Sequence, residues 1–176
     1  MGRSRLTEKA IDAMIRVDQA GEYGATRIYA GQLAVLGDRM PVARPIARMA
    51  AQEARHRETF DRMMAERGVR PTLLGPLWDR AGFLLGAATA LISPEAAMAC
   101  TAAVETEIDR HYGEQLAVLG DSNPNLSATI AEFQAEEAEH RETALREGAE
   151  QAPAYPLLSA VIRLGCRTAI ALAKRV

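Results

Sequence analysis

The stretch YAGQLAVLGD at residues 29–38 returns as YGEQLAVLGD at residues 112–121, with eight of its ten positions identical. Glu22 and Glu105 each stand seven residues before the tyrosine that opens their copy. Downstream, EARHRET at 53–59 matches EAEHRET at 137–143 in six of seven positions, at an offset of 84 instead of 83. A repeat of this length predicts a helical hairpin used twice, and two hairpins form a four-helix bundle.

The repeat spaces acidic residues and histidines as metal ligands. Residues three apart lie on one face of a helix, so Glu53 points the same way as His56, and Glu137 the same way as His140. Bundles that hold two metal ions use a Glu from each of two helices and a Glu-x-x-His pair from each of the other two. The predicted ligands are therefore Glu22, Glu53, His56, Glu105, Glu137 and His140.

Electrostatics explains why such a set needs metal. Four carboxylates in the core of a bundle carry a charge of −4, and burying even one unpaired charge is very unfavourable. Two divalent cations neutralise them. Carboxylate and imidazole ligands favour iron or manganese, and no set of thiolates favours zinc or an iron–sulfur cluster.

Breaks at proline and glycine divide the chain into six helices without a convincing strand. The fold class predicted is all-α: a four-helix bundle with two extra apolar helices, in one domain over 1–176 with pseudo-repeats at about 6–67 and 94–150. The first helix runs from about 6 to 36, the second follows Pro41 and runs to about Arg67, and LWDRAGFLLGAATALI (77–92) forms the third. Ser93-Pro94 starts the fourth helix, which ends at Gly120, and Asn123-Pro124 the fifth, which runs to about Gly148. The sixth follows Pro153 and Pro156.

Composition restricts the function classes. The chain of 176 residues is 48% hydrophobic and 25% charged, as expected of a folded domain. Its net charge of −2 argues against nucleic acid as a partner. No signal peptide is expected before the first helix, and no uninterrupted apolar run reaches the ~20 residues that span a bilayer. Cys100 and Cys166 are expected to be buried thiols, with a disulfide as the alternative.

Several neighbouring residues have roles that the sequence leaves open. Tyr29 and Tyr112 lie two turns from Glu22 and Glu105, where they could support the metal ligands, relay a radical or pack in the core. Asp18, one turn before Glu22, is a candidate to orient a ligating histidine through its ring N–H. His111 is predicted to be exposed or to support the site, not to bind metal. The remaining nearby acids are predicted to be solvated helix charges: Glu58, Glu107, Glu136, Glu139 and Glu142.

The third and sixth helices are not needed for the bundle. The sixth carries Arg163, Arg167, Lys174 and Arg175 among apolar residues and has no acid. Such a composition is typical of a helix that rests on an anionic membrane. Packing on the bundle, or an interface between subunits, is the alternative for both helices.

Four segments carry a resemblance to a known family: RVDQAGEYGATRIYAGQLAVLG (16–37), RPTLLGPLWDRAGFLLGAATALI (70–92), AMACTAAVE (97–105) and APAYPLLSAVIRLGCR (152–167). The chain resembles the 5-demethoxyubiquinone hydroxylase family over roughly residues 11–175. The resemblance implies a ferritin-like monooxygenase with two ferrous ions, which uses dioxygen to hydroxylate the ring of a polyprenylated demethoxyubiquinol in ubiquinone biosynthesis. The family's iron ligands fall on the six residues that the repeat selects, and its tyrosine beside those ligands, the candidate catalytic residue, falls on Tyr112.

The resemblance also implies surroundings for the protein. The electron donor would be NADH or the quinol itself, although no glycine-rich dinucleotide-binding loop follows a strand. The enzyme would sit peripherally on a membrane, on the cytoplasmic face of a bacterial inner membrane more readily than on a mitochondrial inner membrane, because the N-terminus is too short for a transit peptide. A homo-oligomer and ubiquinone-biosynthesis accessory proteins are candidate partners.

Two other functions remain as alternatives. A different ferritin-like protein would store iron or reduce peroxide, but the chain has no Cys-x-x-Cys module and carries two apolar extra helices. A non-enzymatic quinone-binding scaffold would be expected to have lost some of the six ligands.

Overall fold

The computed structural model describes residues 6–175, in which every regular element is helical. The six α-helices are α1 (Glu8–Leu36), α2 (Ala43–Arg67), α3 (Gly75–Ile92), α4 (Pro94–Leu119), α5 (Pro124–Arg146) and α6 (Tyr155–Ala173), and a short 3-10 turn, Ala149–Gln151, precedes α6. The prediction of an all-α fold with six helices is confirmed.

The helices begin and end where the local chemistry of the sequence predicts. The Ser93 hydroxyl accepts the Ala96 N–H at 3.0 Å, and Pro94 occupies the first turn of α4. The Asn123 side chain caps α5 in the same way through Leu126. Gly37 ends α1 with φ of +65°, a conformation that costs glycine little.

The two hairpins of the repeat form the bundle. α1 packs along α2, and α4 packs along α5, with the two pairs joined face to face. Apolar side chains fill the interior on either side of the bundle centre, among them the fully buried Phe60, Met98 and Ile130. The centre itself is polar, and it holds the residues that the repeat singles out.

The third helix lies unusually close to α1. A Cβ atom on Gly86 would stand 1.9 Å from the carbonyl oxygen of Ile28, and one on Gly31 would stand 2.1 Å from the carbonyl oxygen of Phe83. Only glycine permits this approach of two helix backbones. Trp78, at the start of α3, lines a groove beside α1.

The sixth helix is held on α4 by an ion-pair cluster. Arg163 donates to Glu107 at 2.7 Å, and Arg167 donates to both Glu107 oxygens at 2.9 Å. The Glu107 side chain is fully buried, so the prediction of a solvated helix charge was wrong for this residue. Burial raises its pKa, but the three arginines around it, including Arg110, outweigh burial and lower the pKa to about 2.

Both extra helices also present an apolar face to the outside. On α3 the exposed side chains are Leu77, Leu84, Leu91 and Ile92, and on α6 they are Leu157, Val161, Leu164 and Leu172. One face of each extra helix packs on the bundle, and another face is exposed. By length and composition, α6 is the one helix within residues 6–175 that could cross a membrane, and 11% of that stretch is buried.

The remaining expectations concern the cysteines and the N-terminus. Cys100 is buried, Cys166 is partly buried, and both thiols are free, so no disulfide joins them. Burial raises the pKa of each thiol to about 12. The expectation that no signal peptide precedes the first helix concerns residues 1–5, which lie outside the described residues.

Candidate metal centre

All six predicted ligands meet in the middle of the bundle. Each of the four bundle helices contributes: α1 and α4 one Glu each, α2 and α5 a Glu-x-x-His pair each. Every one of the six residues is at most 2% exposed: Glu22, Glu53, His56, Glu105, Glu137 and His140. The repeat therefore brings together the side chains that its spacing selects.

The six side chains divide into two overlapping groups. One contains Glu22, Glu53, His56 and Glu137, and the other contains Glu53, Glu105, Glu137 and His140; in each group the nearest ligand atoms lie within 4.8 Å of one another. Glu53 and Glu137 belong to both groups, so each could bridge two metal ions. We name the half with Glu22 and His56 position A and the half with Glu105 and His140 position B.

Each histidine presents the same ring nitrogen to the centre. The His56 Nδ1 atom lies 3.1 Å from Glu137 Oε1 and 3.4 Å from Glu22 Oε2. The His140 Nδ1 atom lies 3.1 Å from Glu53 Oε1 and 3.1 Å from Glu137 Oε2. Both rings thus turn their Nδ1 inward and leave Nε2 for a partner on the far side.

The centre is rich in buried polar atoms without a hydrogen-bond partner among residues 6–175: Glu22 Oε2, both carboxylate oxygens of Glu53, His56 Nδ1, Glu105 Oε2 and Glu137 Oε1. Buried polar groups are normally paired, because each unpaired one costs roughly 1–3 kcal/mol. These atoms are acceptors of the kind that coordinate a cation. The residues present therefore fit a metal pair of the carboxylate–imidazole type.

The crowding of carboxylates perturbs their protonation. Burial, followed by repulsion from Glu137 and other neighbouring carboxylates, raises the pKa of Glu53 and Glu105 well above the ordinary value. Burial also disfavours the charged form of His56, but the adjacent Glu137 and Glu22 carboxylates raise its pKa to about 10. Without a cation, the cluster must therefore hold protons to offset its own negative charge.

Two tyrosines cross from one half of the repeat to the other. The Tyr29 hydroxyl donates to Glu105 Oε1 at 2.7 Å, and the Tyr112 hydroxyl donates to Glu22 Oε1. Each tyrosine lies two turns from the Glu of its own helix but bonds the Glu of the facing helix. Both side chains are buried, so each hydroxyl fixes the orientation of one carboxylate.

The outward nitrogens of the histidines have different partners. His56 Nε2 lies 2.7 Å from Glu136 Oε2, and His140 Nε2 lies 3.1 Å from Gln52 Oε1. Glu136 also receives a hydrogen bond from Arg55. The prediction that Glu136 is merely a solvated charge was wrong, whereas Glu58, Glu139 and Glu142 are exposed as predicted. Gln52 was not among the predicted site residues, although it precedes Glu53 just as Glu136 precedes Glu137.

Asp18 does not take its candidate role of orienting a ligating histidine. Its carboxylate accepts a hydrogen bond from Gln115 at 2.7 Å and lies 3.3 Å from His111 Nε2, not beside either inward-facing histidine. Burial raises the pKa of Asp18, with His111 acting in the opposite direction. His111 is buried, so the exposed alternative fails, and it lies outside both groups of candidate ligands.

An apolar cavity of about 410 Å³ lies between the bundle and the two extra helices. Its walls include Trp78 and Leu85 from α3 and Gly165 and Cys166 from α6. It is also lined by Gly21 and Val104, the residues that immediately precede Glu22 and Glu105. The cavity therefore runs along the bundle helices at the level of the carboxylate cluster.

Fold and site together define a helical bundle of the ferritin-like class, with interior carboxylates and imidazoles in two groups that could each hold a metal ion. The family described as ubiquinone biosynthesis protein COQ7 matches residues 9–173, and the chain belongs to this family. This agrees with the resemblance that the sequence carries.

Individual relatives cover most of the chain. The 3-demethoxyubiquinol 3-hydroxylase of Rhodospirillum rubrum is 55% identical over 94% of this chain and 78% of its own length. The mitochondrial NADPH-dependent 3-demethoxyubiquinone 3-hydroxylase of Mus musculus is 49% identical over 99% of this chain and 82% of its own length. The mitochondrial 5-demethoxyubiquinone hydroxylase of Saccharomyces cerevisiae is 44% identical over 94% of this chain and 78% of its own length.

Proposed function

We propose that this protein is a demethoxyubiquinol hydroxylase that works through two iron ions. Glu22 and His56 would hold one ion, Glu105 and His140 the other, and Glu53 and Glu137 would bridge them. The observation that carries the proposal is the pair of overlapping ligand groups beside an apolar cavity. The names of the relatives support the reaction, because they describe hydroxylases of the same quinone precursor.

The cavity suits the substrate class. A polyprenylated quinol combines a small polar ring with a long apolar tail, and the walls contributed by Trp78, Leu85 and Ile108 offer the tail an apolar surface. Since Gly21 and Val104 line the cavity next to two of the proposed ligands, a ring at that end would lie close to the centre. The glycines on this wall leave space that side chains would otherwise fill.

The chain's own residues position the reaction. When bound, the two ferrous ions would supply the activation of dioxygen. One oxygen atom would enter a ring C–H bond and the other would leave as water, with two electrons and two protons from a reductant. Tyr112 would hold the Glu22 carboxylate in place through its hydroxyl, and Tyr29 would do the same for Glu105. The apolar walls would keep bulk water away from the centre.

The electron donor is proposed to be a reduced nicotinamide nucleotide or the quinol itself. The mouse relative is named as NADPH-dependent, whereas the family resemblance implies NADH or the quinol. Residues 6–175 contain no strand, and therefore no strand followed by a glycine-rich dinucleotide-binding loop. A quinol that enters the cavity would bring electrons directly to the centre without a separate nucleotide site.

A membrane surface would deliver the substrate. The two helices that wall the cavity, α3 and α6, also carry exposed leucines such as Leu84 and Leu164. Lys174 and Arg175, both exposed after the end of α6, would attract anionic lipid headgroups. We propose peripheral binding at the cytoplasmic face of a bacterial inner membrane, with a mitochondrial inner membrane as the alternative, since relatives of both origins are known.

A labelling experiment tests the reaction. Iron-loaded protein is incubated with a demethoxyubiquinol, a reductant and ¹⁸O-labelled dioxygen, and the mass of the quinone product is measured by mass spectrometry. One labelled oxygen atom per product is expected. Product without label, or dioxygen uptake without any hydroxylated quinone, contradicts the proposal. Iron stoichiometry separates the storage alternative, because a storage protein accumulates far more iron than the pair expected of this bundle.

A further inference from the structure

We propose that the two metal positions have unequal affinities, and that Glu136 makes position A the tighter one. This inference rests on the proposed function, because it assumes that both positions hold iron. It concerns the outward nitrogen of each histidine, where the duplicated halves of the protein differ.

The outward partners occupy equivalent places in the repeat. Glu136 directly precedes Glu137 on α5, and Gln52 directly precedes Glu53 on α2. Each reaches across to the histidine of the facing helix: Glu136 to His56 and Gln52 to His140. The geometry is therefore conserved between the halves while the chemistry changes from a carboxylate to a neutral amide.

The change alters how strongly each imidazole can donate to a metal ion. When Nδ1 coordinates a cation, Nε2 carries a proton and donates it in a hydrogen bond. A carboxylate acceptor draws on that proton more strongly than an amide oxygen, so it increases the electron density that Nδ1 offers the metal. Removal of such a partner typically costs 10–100-fold in metal affinity. His56, which is paired with Glu136, should therefore bind its ion more tightly than His140, which is paired with Gln52.

The surroundings maintain the difference. Arg55 donates to Glu136, which holds the carboxylate against His56. The residue at the equivalent place of the repeat is Glu139, the single difference between EARHRET and EAEHRET. An anion at position 52 would thus lack the arginine that Glu136 has and would share its neighbourhood with an acid. A neutral glutamine at position 52 agrees with this arrangement.

Anaerobic titration of the full-length apoprotein with Fe²⁺, against a coloured chelator, measures both affinities. The wild-type protein should bind two ions in two resolved steps. Glu136→Gln should weaken the tighter step by about 10–100-fold and leave the weaker step unchanged. Gln52→Glu combined with Glu139→Arg should tighten the weaker step instead. Far-ultraviolet circular dichroism and thermal unfolding check that each variant is folded.

A second measurement identifies the positions. Crystals of the wild-type protein with one equivalent of Fe²⁺ should show anomalous scattering from iron next to Glu22 and His56. The fourfold exchange Gln52→Glu, Arg55→Glu, Glu136→Gln and Glu139→Arg leaves the amino-acid composition unchanged and should move the first ion next to Glu105 and His140. A purely structural role for Glu136 would not move it.

The outcomes separate the two proposals. Wild-type protein that binds no Fe²⁺ overturns the proposed function. Protein that binds two ions with equal affinity, or whose tight step is unaffected by Glu136→Gln, overturns this inference and leaves the function intact. A first ion that stays beside His56 in the fourfold exchange likewise overturns the assignment to Glu136.

Discussion

Tyr29 donates its hydroxyl hydrogen to Glu105 across the bundle, 2.7 Å away, and not to Glu22 on its own helix. Reciprocally, the Tyr112 hydroxyl donates to Glu22 on α1. The two halves of the repeat therefore orient each other's carboxylates, which ties the geometry of the centre to the correct docking of the hairpins. A single hairpin could not provide either contact.

This exchange predicts the effect of removing one hydroxyl. Tyr112→Phe leaves a buried oxygen of Glu22 without its donor, so turnover should fall by about 10-fold or more while the helical content is unchanged. Tyr23→Phe is a matched control, because the Tyr23 hydroxyl bonds Asp79 away from the centre. Turnover and Fe²⁺ affinity are measured for both variants. Equal turnover in Tyr112→Phe and the control would contradict a role for Tyr112 in the reaction.

Loss of a carboxylate that belongs to both ligand groups should remove more iron than loss of one that belongs to a single group. Glu137 belongs to both ligand groups, so Glu137→Ala should remove most iron and abolish hydroxylation. Glu22 belongs to one group, so Glu22→Ala should retain about one ion per chain. Iron is counted by elemental analysis after anaerobic loading and desalting.

Glu142→Ala provides the comparison, because Glu142 is exposed on the same helix as Glu137. It should keep the full iron content. Full iron and full turnover in Glu137→Ala would show that the bridging assignment is wrong.

Much of this architecture follows from local rules in the sequence. Helix boundaries depend on nearby caps and breakers such as Ser93 and Gly37, which act within one turn. The clustering of the six candidate ligands follows from helical spacing together with duplication. Both signals are visible in a single chain without any knowledge of how its helices pack.

The rest depends on contacts between distant helices. Glu107 and Glu136 resemble ordinary solvated acids in the sequence, because, apart from Arg110 beside Glu107, the arginines that they meet lie far away in the chain. The other two arginines around Glu107 come from α6, 56 and 60 residues away. The candidate role of Asp18 was wrong for the same reason. Helical spacing predicts the face of α1 on which Asp18 lies, but it does not predict that His111 on α4 faces it.

The Glu107 cluster predicts a dependence of stability on pH. The pKa of Glu107 is lowered to about 2, below the value of about 4.3 for an unfolded glutamate. Its contribution should therefore be fully present above about pH 4.3 and should be lost as the pH falls towards 2. Glu107→Gln should lower the free energy of unfolding by about 1–3 kcal/mol at pH 7 and by progressively less below pH 4.

Chemical denaturation of both proteins across this range measures the difference. Glu114→Gln is the control, since Glu114 also pairs with Arg110 but is exposed, and such pairs contribute about 0–1 kcal/mol. A difference between wild type and Glu107→Gln that stays constant from pH 7 to pH 3 would show that the charge of Glu107 does not hold α6.

Two glycines near the cavity should respond to substitution in opposite ways. A Cβ atom on Gly86 would collide with the backbone of Ile28, so Gly86→Ala must push α3 away from α1 and should cost about 1–3 kcal/mol or more. No atom lies within 4 Å of the Cβ position of Gly165, which lines the cavity from α6. Gly165→Leu should therefore fold at least as well as wild type, because leucine favours a helix over glycine by roughly 0.5–1 kcal/mol.

The larger side chain at position 165 would occupy space that the proposed substrate needs. Gly165→Leu should raise KM for a polyprenylated quinol several-fold while iron content and thermal stability are preserved. Gly165→Ala, which adds one methyl group to the same wall, should have a much smaller effect. Steady-state kinetics on quinols with short and long tails then shows whether the tail occupies the cavity, because the rise in KM caused by an obstruction there must depend on tail length. Unaltered kinetics in Gly165→Leu for every tail length would mean that the substrate reaches the carboxylate cluster by another path.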